Sequence, residues 1–248
     1  MKMKHILNFS SSLCFLLMFT LAQAQEKPAA TSNVEQVADS IPVKKDRYGL
    51  RVGVDLFKLT RGFYDKNYKG IELTGDFRWN KKYYLAAELG NENKTTEDDR
   101  LTSNSKGSYL KVGFDYNMYE NWLDMENIIS IGLRYGLSTF SQELNSYKIY
   151  NPNPYWGELP PIPATEQFNG LSASWIEVVT GMKAKMFNNV FVGFSVQLKT
   201  LVTNKKPEGF DNLYIPGFNR TYNGSFGIGF NYSVTYFVPL YKKKVIVK

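Results

Sequence analysis

The sequence predicts an all-β fold: an eight-stranded antiparallel up-and-down transmembrane β-barrel with short periplasmic turns and long extracellular loops. Three observations predict it. The clearest is the stretch 225–241, where Phe226, Ile228, Phe230, Tyr232, Val234, Tyr236 and Val238 form an every-other-residue apolar row. Gly227, Gly229, Asn231, Ser233 and Thr235 fill the places between. Strand side chains point alternately to opposite faces, so this is a strand with one apolar face and one small, polar face. Second, further stretches repeat the pattern, and the connections between them alternate long and short, as a barrel with its tight turns gathered at one end requires. Third, the apolar rows carry almost no charge, whereas the polar rows are rich in glycine and in charges of both signs.

Ahead of the strands, Lys2 and Lys4 precede an apolar run at 13–21 and then Ala22-Gln23-Ala24, the pattern of a cleaved secretory signal peptide over residues 1–24. The run is shorter than the about 20 apolar residues that a membrane-spanning helix needs, and no other segment approaches that length. Cys14 lies inside the run instead of after a small residue at its end, which does not suit lipid attachment. Cleavage removes Cys14 and His5, the only cysteine and the only histidine. The mature chain is therefore expected to hold no disulfide, no Cys or His metal site and no Ser-His dyad. Losing Lys2 and Lys4 also lowers the formal charge from +7 to +5. Residues 25–46 show neither period and read as a flexible periplasmic leader.

The barrel itself is assigned to 47–241. The first strand, 47–58, sets Leu50, Val52, Val54 and Leu56 against Arg51, Gly53 and Asp55, and a loop at 60–68 follows. Strands at 70–79 and 83–90 form a hairpin across a tight turn at 80–82. A polar loop at 91–106 leads to the fourth strand, 109–118, which places Leu110, Val112 and Phe114 opposite Tyr109, Lys111 and Asp115. A reversal at 120–126 leads to the fifth strand, 127–139, and then a long connection covers 140–170. The sixth and seventh strands, around 176–186 and 190–200, meet at Asn188-Asn189. The loop 201–223 leads to the closing strand, and 242–248 forms a basic periplasmic tail.

The polar rows bring Arg51, Asp55, Glu72, Asp76, Arg78, Glu88, Lys111, Asp115, Arg134, Glu177 and Lys183 to one face, together with Lys185 and Lys199. An eight-stranded barrel is just wide enough for side chains to fill it, so these charges are expected to pair as a salt-bridged lumen network. The alternative is a narrow channel or a small-ligand transport or binding barrel that uses the charged lumen. With no histidine, the commonest general base near neutral pH, no catalytic residue is assigned and no enzyme is expected. No cofactor or metal is implied. No glycine-rich loop opens a helix after a strand, so nucleotide binding has no support, and the basic residues follow strand alternation in place of a nucleic-acid pattern. A soluble lipocalin-like barrel would show the same period with its faces exchanged, the apolar one inward around a hydrophobic ligand.

Aromatics and prolines concentrate in the connection 140–170, with Tyr147, Tyr150, Tyr155 and Trp156 among five of the ten prolines. Prolines reduce the entropy of an exposed loop, and Tyr and Trp are the usual anchors of recognition surfaces. The loop reads either as an extracellular recognition loop for a surface protein or glycan, or as a self-packed cover of the barrel mouth, with Phe210, Tyr214, Ile215, Pro216 and Phe218 as its packing partners. Outer-membrane lipid and, during biogenesis, the barrel-assembly machinery are the other expected partners.

The segments Leu50-Arg51-Val52-Gly53-Val54-Asp55-Leu56, Phe63-Tyr64-Asp65-Lys66-Asn67-Tyr68-Lys69-Gly70 and Tyr84-Leu85-Ala86-Ala87-Glu88-Leu89-Gly90 resemble an uncharacterised family of small Bacteroidota outer-membrane proteins. In architecture, though not in motif, the chain resembles OmpA/OmpX-type barrels. The closing strand, with Ser225, Gly227, Phe230 and Tyr232, is similar to the signal read by the barrel-assembly machinery, but it continues past Tyr236 to Pro239 and a basic end. The resemblance implies an outer-membrane location and a porin-like architecture, and it carries no activity or functional residue across.

Overall fold

A computed structural model describes residues 43–121, 125–152, 155, 157, 159–220 and 224–246. The expected signal peptide, most of the expected leader and Trp156 lie outside the described residues. The strands are β1 (Val43–Asp55), β2 (Tyr68–Arg78), β3 (Tyr83–Asp98), β4 (Leu101–Asn117), β5 (Ile128–Tyr147), β6 (Ile162–Phe187), β7 (Val190–Asn204) and β8 (Phe226–Ile246), with one helix, α1 (Leu56–Tyr64), after β1. All eight strands are antiparallel to their neighbours in chain order, and β8 returns to β1, so the sheet closes into a ring.

The faces follow the period of the sequence. Leu85 and Leu133 are 50% and 42% exposed on the outside, whereas their neighbours Tyr84 and Arg134 are 5% and 4% exposed on the inside. The same alternation runs through β3 and β5 almost without a break. Register then sets acids opposite bases inside: Arg51 faces Asp76, Glu88 faces Lys111, and Glu177 faces Lys199. Small residues make room in the narrow interior. A Cβ on Gly136 would lie 2.2 Å from the indole of Trp175, its register partner on β6, so glycine is needed there to admit that ring.

Several boundaries depart from the sequence reading, each for a physical reason. The first strand stops at Asp55 because that side chain accepts the Phe57 amide at 2.7 Å and caps α1, which occupies most of the stretch assigned to strand end and loop. The polar stretch 91–106 is not a loop. Pairing of β3 with β4 continues to Asp98 and Leu101, so the strands reverse at 99–100 in a tight turn. Both faces there are polar, and a strand with no buried apolar face has no hydrophobic period to read. The connection 140–170 shrinks to 148–161 because β5 and β6 keep pairing to Tyr147 and Ile162. Connection length therefore does not alternate strictly, since 118–127 is longer than the turn at 99–100. What distinguishes the two ends is how far the strands project. At the other extremity, 43–46 and 242–246 are not leader and tail but paired strand, Val43 facing Ile246 and Asp46 facing Lys243.

Candidate functional site

The enclosed face of the ring is a connected set of ion pairs. Towards the short-turn end, Asp76 receives Arg51 and Lys183, each with a nitrogen 2.5 Å away. Arg134 meets Asp115 through two bonds of 2.8 and 2.9 Å, and its Nε lies 3.6 Å from Glu88. Lys111 is the hub: its Nζ lies 2.8 Å from Glu88, 3.2 Å from Glu72 and 3.7 Å from Glu177. Lys199 approaches Glu177 at 3.4 Å, and the Trp175 indole donates to the same carboxylate at 2.7 Å. Such pairing is what burial demands, because an enclosed charge without a partner carries a heavy desolvation cost.

Helix α1 adds a cation from above. Its Lys58 Nζ lies 2.7 Å from Glu72 and 2.8 Å from Glu92, and it also bonds the Tyr109 hydroxyl. Tyr109 donates to Glu72 at 2.6 Å, so one phenol bridges the helix and two strands.

The connection 205–225 then closes the mouth. Ile215 and Phe218 are buried against Tyr109, Phe140, Leu171 and Trp175, the apolar cluster of the interior, and Tyr214 is buried beside them in the chain. The tip is a turn, Ile215-Pro216-Gly217-Phe218, in which the Phe218 and Asn219 amides both donate to the Ile215 carbonyl. Proline at the first central position and glycine with φ +82° at the second form the type II pattern. Polar groups hold the tip down. Glu92 accepts from the Tyr214 hydroxyl at 2.7 Å and from the Gly217 amide at 3.0 Å, while Lys199 donates to the Gly217 carbonyl at 2.7 Å. Below this cover a cavity of about 50 Å³ remains beside Glu88, Asp115, Arg134 and Lys183, room for no more than a few waters.

At the short-turn end, Glu126 in the connection 118–127 ties three elements together. Arg47 forms an ion pair with it, Lys185 approaches at 2.9 Å, and Arg47 also donates to Asn189 at 2.5 Å. Partial burial opposes ionisation of Glu126, but hydrogen bonds from Arg47 and Lys185 outweigh it and hold the carboxyl at about 2, below its ordinary 4.5.

The structure places Arg51, Asp55, Glu72, Asp76, Glu88, Lys111, Asp115, Arg134 and Glu177 inside and buried. Lys183 is half-buried on the same network, whereas Arg78 sits at the short-turn rim, 3.5 Å from Asp46. Asp55 belongs to the cap of α1 more than to the ion pairs. Of the aromatic loop residues, Tyr150 and Tyr155 are 63% and 80% exposed, and Tyr150 lies beneath Arg100 at 4.3 Å. Tyr147 ends β5, facing Ile162 in the register. Phe210 stacks on Phe168 of β6, and Ile215 and Phe218 join the apolar cluster of the strand wall, so among the described residues the last connection supplies a cover.

Lys58, Glu92, Tyr109 and Gly217 were not singled out from the sequence, although all join the network. Glu92 lies two residues past Gly90 on the inward row of β3, and Pro216-Gly217 is a turn signal; both were legible in principle. Among the described residues no group of His, Cys, Asp and Glu side chains forms a metal cradle. Chemically the arrangement is a neutralised, enclosed polar core under a fitted loop.

No curated protein and no solved structure matches the chain significantly. A family model described as a domain of unknown function (DUF6048) matches residues 6–243, nearly the entire sequence. The chain belongs to that uncharacterised family.

Proposed function

We propose that the chain is an integral outer-membrane β-barrel of non-enzymatic type. It acts as a structural or surface-interaction protein through the loops at its long-loop end, and its lumen is sealed. The observation that carries this reading is the orientation of the two faces around a closed ring. The apolar rows of β1 to β8 point outward and stay exposed, while the ionised side chains are enclosed and paired. An outward belt of Leu, Ile, Val and Phe is what a lipid-facing barrel needs, and closure pairs the strands around the ring in a medium without water. A lipocalin-like binder needs the opposite orientation. Outer-membrane lipid is then the first partner.

Lys111, Lys58 and the 205–225 cover support a sealed lumen over a channel, because Glu72, Glu88 and Glu92 each already have a cation in contact. The exposed Tyr150 and Tyr155 support a recognition surface for a surface protein or glycan. Electrophoresis of membrane fractions with and without boiling tests the placement: an intact barrel resists detergent and migrates differently until boiled. Planar-bilayer recording tests the seal, with a silent bilayer expected and steady ion-selective steps contradicting it.

A further inference from the structure

Beneath the ring, β1 and β8 continue as a two-stranded ribbon. Pairing of β1 with β2 begins only at Leu50, and pairing of β7 with β8 begins at Tyr236, so the paired stretches 43–48 and 241–246 have no further strand on either side. This ribbon is basic: Lys242, Lys243 and Lys244 on β8 run opposite Arg47, Asp46 and Lys45 of β1. Where it meets the ring, Tyr48, Asn80, Lys81, Lys82, Tyr83 and Lys243 line an open hollow of about 410 Å³.

Two features fix the chemistry of what this hollow fits. The first is charge. Lys82 and Lys243 are exposed, and among the described residues no acidic side chain lies within ion-pair distance of either. Asp46, the register partner of Lys243, lies 3.8 Å from Lys81 and 3.5 Å from Arg78. The second is position. Tyr83 is the last outward residue before the turn, directly below Leu85, and Tyr241 stacks on Tyr48 at 5.2 Å with an interplanar angle of 8°. The lysines therefore begin where the outward apolar belt ends, with tyrosine rings between. Aromatic rings at that depth sit among lipid headgroups, and lysines just beyond them meet the phosphates.

We propose that this hollow is a binding site for the phosphodiester headgroup of an anionic glycerophospholipid in the leaflet at the short-turn end. Lys81, Lys82 and Lys243 contact the phosphate, and the exposed Tyr83 flanks the glycerol region, while the buried Tyr48 forms the floor of the hollow. This rests on the membrane reading above and adds a lipid class and a leaflet to it.

The test is native mass spectrometry of the full chain released from mixed vesicles of phosphatidylglycerol and phosphatidylcholine, with insertion checked by vesicle flotation. Retained phosphatidylglycerol is expected to exceed its share of the vesicle. With about fivefold in affinity per lysine near a membrane surface, Lys81→Gln with Lys82→Gln is expected to lower that preference about 25-fold, and Lys243→Gln alone about fivefold. An inserted protein without the preference, or variants that keep it, would overturn the site while leaving the barrel standing. Loss of bound lipid to millimolar inorganic phosphate would reassign the hollow to free phosphate and also overturn it. Failure of the unaltered chain to float with vesicles of either composition would overturn the membrane reading and the site together.

Discussion

The Glu92 carboxylate accepts the Gly217 amide at 3.0 Å, joining the inward row of β3 to the tip of a loop from 125 residues further along the chain. That bond, with the Tyr214 hydroxyl on the same oxygen, holds the cover over the charge network. Glycine is required at the contact for two reasons. Its φ of +82° is costly for other residues, and a Cβ would lie 2.5 Å from the Tyr109 ring. Gly217→Ala is expected to destabilise the cover by about 2–4 kcal/mol through strain and overpacking. Limited proteolysis should then cut within 205–225 while the ring keeps its resistance to detergent. Unchanged protection of that segment would show that the tip is not clamped as described.

Lys111 is the hub of the enclosed acids, so its removal leaves Glu72, Glu88 and Glu177 short of a counter-charge. Lys111→Met should cost about 3–5 kcal/mol, the range for stranding a buried charge. Denaturant unfolding of the refolded chain measures it. Pairing the change with Glu88→Gln should recover part of the loss, and strict additivity of the two would mean that the pair is not coupled.

Glu126 gives a pH dependence whose sign follows from its depressed value. A carboxyl held at about 2 when folded and ordinarily at 4.5 contributes stability that is fully present above about pH 4.5 and is lost as pH falls toward 2. The side chain is a quarter exposed, so solvent screening reduces the contribution to about 1–2 kcal/mol. Comparing the unaltered chain with Glu126→Gln at pH 7 and pH 3 isolates it. The gap between the two should narrow at the lower pH, and a constant gap would contradict the assignment.

Tyr150→Ala and Tyr155→Ala remove exposed rings and are expected to change stability by no more than about 1 kcal/mol, the most the contact of Tyr150 with Arg100 contributes. If the aromatic connection is the recognition surface, binding of its surface partner falls with the fold intact. Binding that survives both changes, and Trp156→Ala as well, would move recognition elsewhere.

The inside and outside of the ring were legible because a strand with one apolar and one polar face writes a period of two into the sequence. Lys111, Arg134 and Glu177 could be placed on the inner row from parity alone. The extension of β3 and β4 to Asp98 and Leu101 was not legible, since pairing there is held by backbone bonds between faces that are both polar. Lys58 falls within the stretch 47–58 that the period reads as strand, but Asp55 ends that strand with a cap, and a local cap of that kind leaves a weak trace beside the stronger alternation of 48–56. The pairing of Glu92 with Gly217 joins residues far apart in the chain, and only closure of the ring brings them together.

The central claim is that the outward rows of the ring meet lipid. Spin labels on single cysteines replacing Ile129, Ile131, Leu133, Tyr135 and Leu137 along the outer row of β5, in the full chain with Cys14 replaced and reconstituted in vesicles, test it most directly. The expected result is high access to oxygen and low access to a water-soluble nickel complex, with the contrast greatest near the middle of the row. Free access of the nickel complex along the entire row would contradict it, because that face would then meet water.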